Sequence, residues 1–104
     1  ITDLEPESLG AFLRLQLLAI DYNNLTHIKK DWFTELKPPN ELLMLSLSHN
    51  NILDIEPKSF AGLTSLGRLI LEHNLLRFAS PEWFRGLTNL ITLNLASNRL
   101  ESLP

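Results

Sequence analysis

At 104 residues, with 44% apolar content and no cysteine, the chain is sized for one small domain without disulfides, zinc-thiolate sites or thiol chemistry. Its net charge of −3, with nine Lys and Arg dispersed along the chain, argues against nucleic acid as a partner. No apolar run approaches the ~20 residues of a membrane-spanning helix, and the opening Ile1-Thr-Asp-Leu-Glu-Pro reads as part of a repeat, not as a signal peptide.

Residues 1–14 form a partial unit, because Leu4-Glu-Pro-Glu-Ser-Leu9 matches Ile55-Glu-Pro-Lys-Ser-Phe60 further on. A full unit over 15–41 follows, with Leu15, Leu18, Ile20, Asn23 and Leu25, then Phe33 and Leu36. It carries three extra residues in Leu36-Lys-Pro-Pro-Asn-Glu-Leu42, so Pro38-Pro39 should bulge where the chain enters the next unit. The unit 42–65 repeats the pattern with Leu42, Leu45, Leu47, Asn50, Ile52, Phe60 and Leu63, and 66–89 with Leu66, Leu69, Leu71, Asn74, Leu76, Phe84 and Leu87. A second partial unit, 90–104, has Leu90, Leu93, Leu95, Asn98 and Leu100. The starts lie 27, 24 and 24 residues apart, a solenoid period. Residues 1–104 therefore read as one repeat domain. Neither end supplies a polar cap, and Ile1, Leu4, Leu100 and Leu103 would expose core edges, so a fragment of a longer array is expected.

The alternation at Leu18/Ile20, Leu45/Leu47, Leu69/Leu71 and Leu93/Leu95 has period 2, as in a short strand with one face buried. One strand per unit cannot close a hairpin, so successive strands must stack in parallel with each return path on the opposite side. A chain that bends sharply after each strand leaves backbone groups in need of partners. Asn23, Asn50, Asn74 and Asn98 carry a donor and an acceptor each and read as a structural ladder. Return segments begin with weak helix starts: Ser80-Pro81-Glu82 offers an N-cap residue, a Pro and an acid, and Glu56-Pro57 and Glu5-Pro6 place Pro alike. Ala79, with Phe78 before it, predicts local repacking in the third unit, and Trp32 and Trp83 are expected to pack across return segments on the convex side.

These residues resemble the leucine-rich repeat family, and the 24-residue spacing with Phe at place 19 is similar to its typical subclass, found in Toll-like receptors, small leucine-rich proteoglycans and variable lymphocyte receptors. The resemblance implies an α/β solenoid with a parallel β-sheet on its concave side and short helical or 3-10 turns and loops on the convex side. It also implies a protein-binding receptor ectodomain, extracellular or at the cell surface, although the cysteine caps usual in secreted members are missing and a cytoplasmic location stays open. A structural spacer without a ligand and an intracellular scaffold are the alternatives.

Outward strand positions fall into columns. Leu17, Met44, Arg68 and Thr92 make the first; Ala19, Ser46, Ile70 and Asn94 the second; Asp21, Ser48, Glu72 and Ala96 the third, with Tyr22, His49, His73 and Ser97 at its margin. Leu17, Met44 and Ile70, flanked by Leu43 and Ile91, read as an apolar patch for another protein, beside an acidic stripe with Tyr and two His. His49 and His73 near Asp21 and Glu72 contain the makings of a metal site, but no fixed ligand spacing requires one, and no metal or cofactor is expected. Ser46, Ser48, His49 and Glu72 hold triad residue types on a shallow open sheet, where no enzyme is expected. His27 reads as surface, and Asn24-Leu25-Thr26 is a glycosylation sequon at a solvent-facing place.

Overall fold

The computed structural model describes residues 16–33 and 42–101. The Pro38-Pro39 segment, the partial unit 1–14, and Leu15, Leu36 and Leu103 lie outside them.

Four three-residue strands, β1 (Leu17–Ala19), β3 (Met44–Ser46), β5 (Arg68–Ile70) and β6 (Thr92–Asn94), form one parallel sheet in the order β1-β3-β5-β6. The register runs Leu17↔Met44↔Arg68↔Thr92 and Leu18↔Leu45↔Leu69↔Leu93, so residues at one place of the repeat stand side by side. Leu45, Leu47, Leu69 and Leu71 are fully buried, which is the alternation of the sequence expressed as an inward face. Leu93 is partly open, being on the edge strand with no described strand beyond it. The described residues thus form a parallel-sheet solenoid whose return paths carry short 3-10 turns, the architecture that the resemblance implies.

A second sheet does not follow from the repeat pattern. β2 (His27–Ile28) and β4 (Asp54–Ile55) pair in parallel, His27↔Asp54 and Ile28↔Ile55, on the return path of their units. Ile28 and Ile55 point into the core while His27 and Asp54 face out. Beyond them lie a 3-10 turn over Lys30–Trp32 and another over Pro81–Phe84. In the second, Ser80 Oγ accepts from the Glu82 N–H at 3.3 Å, with Pro81 at the first position. In the first, the neighbouring unit supplies the cap, as the Lys30 N–H donates to Glu56 Oε1 at 2.7 Å. Pro57 starts a run of turns instead of a helix.

The return side closes the core with aromatic rings. Trp32 and Trp83 are buried; Phe33 meets Phe60 at 5.8 Å between centroids, and each Trp meets its following Phe edge-on. In the third unit Ala79 takes the buried place, and the exposed Phe78 lays its ring 6.1 Å from Trp83. Gly86 adopts φ +94°, and a Cβ there would stand 2.9 Å from the Ala61 carbonyl oxygen, so only glycine fits this approach.

Candidate ligand-binding face

Each strand ends in a bend held by amides from two units. Asn50 Oδ1 accepts from the backbone N–H of Asn23 and Leu25, at 3.1 and 3.2 Å, while its Nδ2 lies 3.0–3.1 Å from the carbonyls of Ile20, Leu47 and Ser48. Asn74 does the same one unit on, accepting from Asn50 and Ile52 and donating to Leu47, Leu71 and Glu72. Asn98 accepts from Leu76 and donates to Leu71, Leu95 and Ala96. Asn23 Nδ2 reaches the Asp21 carbonyl at 3.0 Å. These bonds satisfy bend groups that the parallel ladder leaves over.

The residue before each ladder Asn makes the bend with a left-handed backbone: Tyr22, His49, His73 and Ser97 have φ of 57°, 54°, 57° and 57°. Sharing one conformation, they project alike. The Tyr22 and His49 rings stack at 4.2 Å and 15°, and His49 and His73 at 4.3 Å and 20°. His49 Nδ1 lies 3.4 Å from Ser48 Oγ. Face-to-face imidazoles do not converge their nitrogens on one point, and among the described residues no group of three His, Asp or Glu is placed to hold a metal ion.

In the first column Leu17 and Arg68 are exposed, and Met44 and Thr92 half-buried. Leu17, Leu43 and Ile91 are the exposed aliphatics of the strand starts. The second and third columns differ from the expectation of freely presented side chains. Ser46 and Ser48 are only 4% and 6% exposed, and both are engaged by Asp21, whose Oδ1 accepts from Ser46 Oγ at 2.7 Å and from the Ser48 N–H at 2.8 Å. Ile70 is 8% exposed, on β5 between β3 and β6. Ser46, Ser48 and Ile70 are therefore buried where the sequence pattern has them outward-facing, and of the expected apolar patch Leu17, Leu43 and Ile91 are exposed and Met44 is half-buried. Ala19 stays exposed, and Asn94 is tied to the third column, its Nδ2 donating to Glu72 Oε2 at 3.3 Å and its Oδ1 accepting from the Ala96 N–H.

Sequence reasoning finds the left-handed row as a margin but not as a stack. The signal is present: Tyr22, His49 and His73 share one place in three units, and parallel register must bring such rings together. His27 is exposed, its Nδ1 3.1 Å from Thr26 Oγ1, and Asn24 is exposed beside it.

A family model described as leucine rich repeat matches residues 13–76 and 64–104. Such families and their receptor relatives are binding modules, not enzymes. The chain is 37% identical to mouse Toll-like receptor 9 over 68 residues, 65% of this chain and 6% of that receptor. Among solved structures, it is similar to the TLR13–ssRNA13 complex, with a TM-score of 0.89 and 34% identity over 98% of this chain and 14% of that one. It is also similar to the Toll–Spatzle complex of Drosophila, in a glycosylated form, with a TM-score of 0.80 and 28% identity over 94% of this chain and 14% of that one. The chain thus spans a small share of each relative. The first structure overturns the expectation that nucleic acid is excluded: a similar fold at 34% identity is held in complex with single-stranded RNA. Net charge sums over a chain, whereas a nucleic-acid contact depends on local rings and cations, so −3 with dispersed lysines is no bar. Among the described residues no helix is long and apolar enough to cross a membrane.

Proposed function

Because this chain belongs to the leucine-rich repeat family, we propose that it is a ligand-binding stretch of a Toll-like receptor ectodomain, lying within a longer array and facing the extracellular or endosomal space. Its ligand is a macromolecule, nucleic acid or protein, held against the concave face and the adjoining rim. One observation carries this reading: the row Leu17, Met44, Arg68 and Thr92 is locked in parallel register yet spared from the core, beside the ring column of Tyr22, His49 and His73. A sheet whose bends are already hydrogen-bonded presents such side chains with little ordering cost on association. The likeness to two receptors solved with bound ligands supports the same reading.

The test is binding of the chain to two probes, a single-stranded RNA 13-mer and recombinant Spatzle, with Leu17→Asp and Met44→Lys beside the parent. At least one probe should bind, and the variants should weaken it about tenfold, as for contacts worth more than about 1 kcal/mol. Silence from both probes, or equal affinity in both variants, counts against the reading and favours a spacer. The exposed Asn24 sequon fits a secreted chain, and we expect a glycan there: expression in a secretory host should give a band that peptide N-glycosidase shifts and Asn24→Gln abolishes.

A further inference from the structure

The row Tyr22, His49, His73, Ser97 joins a left-handed backbone to side chains that lie outside the core. All four have left-handed φ, a conformation met most easily by Gly, Asn or Asp. The bend needs only that φ, since the following Asn makes the bonds. Three of the four places nevertheless carry rings, stacked outside the core, with Tyr22 75% exposed. The bend accounts for the φ but not for the rings, and a stack of π-faces outside the core is a surface that a planar ligand can extend.

Exposure shows where the column is open. His49, with a ring against each face, is half-buried, whereas His73, with a ring on one face alone, is exposed. The next place holds Ser97, small and exposed, with the same φ. Strands about 4.8 Å apart leave a place one ring thick over Ser97 against the free face of His73. We infer that this column is a stacking platform for the bases of single-stranded RNA, with one base seated over Ser97 against His73.

Stacking needs only a π-face, so the platform tolerates any base and favours purines by area. The ring edges, a phenol hydroxyl and imidazole nitrogens, are polar, which suits a heteroaromatic base better than an apolar side chain seeking a dry recess. A counter-charge for phosphate is at hand. Arg99, two residues beyond Ser97, is exposed and in no ion pair among the described residues, whereas Arg77 pairs with Glu101 and Arg85 with Glu82. The inference rests on the receptor reading for there being a ligand on this side of the molecule, and commits it to nucleic acid.

The test titrates the 104-residue chain with a single-stranded RNA 13-mer, reading affinity and the histidine ring protons by NMR. Saturation should move the His73 ring protons upfield. His73→Ser, which reproduces the residue already accommodated at place 97, should weaken binding roughly 5- to 100-fold, and His73→Phe should stay within about threefold of the parent because a ring face remains. Arg99→Gln should lower the slope of log K against log salt by about one. RNA that binds without moving His73, with His73→Ser equal to the parent, overturns the platform and leaves the receptor reading standing. Equal loss in the Phe and Ser variants overturns stacking in favour of an imidazole hydrogen bond. A chain that binds Spatzle but not RNA assigns the ligand to protein and overturns this inference alone; binding neither overturns both.

Discussion

Asn50 shows how much one side chain can hold when its place in the repeat is fixed. It is buried, its Oδ1 accepts from two N–H groups of the preceding bend, its Nδ2 donates to the Ile20 carbonyl of that same bend and to the Leu47 and Ser48 carbonyls of its own unit, and it has no solvent to replace any of these partners. Asn50→Ala should therefore cost about 2–4 kcal/mol, the penalty for several orphaned buried groups, read as a lower urea midpoint with an unchanged slope. Asp21→Ala strands the Ser46 hydroxyl and the Ser48 N–H and should cost about 1–3 kcal/mol by the same measurement. Gly86→Ala meets both positive φ and the Ala61 backbone, and a loss of about 1–3 kcal/mol is expected. The repeated amide is readable in the sequence because backbone accounting demands it. Asp21, Ser46 and Ser48 are not: each is an ordinary residue within its own unit, and their bonding exists only across two units brought together by the fold.

At the scale of elements, the three-residue strands are legible because leucine alternation in four registers is hard to produce otherwise. The two-residue pairs β2 and β4 are not, since two residues carry no period, and Ile28 and Ile55 look like any apolar pair on a return path. Prolines mislead in one case: Pro81 starts a 3-10 turn with Ser80 as its cap, while Pro57 leads only into turns. Leu45 sits on the central strand β3 with β1 on one side and β5 on the other. Leu45→Ala should cost about 2–5 kcal/mol and lower the melting temperature by circular dichroism, whereas Leu93→Ala, on the half-open edge strand, should cost less than half as much. Equal losses at the two places would mean that β6 is covered in solution.

Across the whole molecule, the fold and the candidate face are legible to different depths. Parallel stacking follows from the period, and with it the columns. Which members of a column stay in contact with solvent does not, because bonding and packing between units decide it: Ile70 and Ser46 share a row with the exposed Ala19 yet are buried. Net charge speaks against nucleic acid only as a sum over the chain, a quantity blind to the ring column.

The amides that hold the bends have a direction. Asn74 closes the bend of the unit before it, through the N–H groups of Asn50 and Ile52, just as Asn50 closes that of Asn23 and Leu25. Damage should therefore travel backwards along the coil. In Asn74→Ala, deuterium uptake should quicken first at Asn50 and Ile52, and with it the hold on His49 should slacken, so that the setting of one ring is governed from the rung above it.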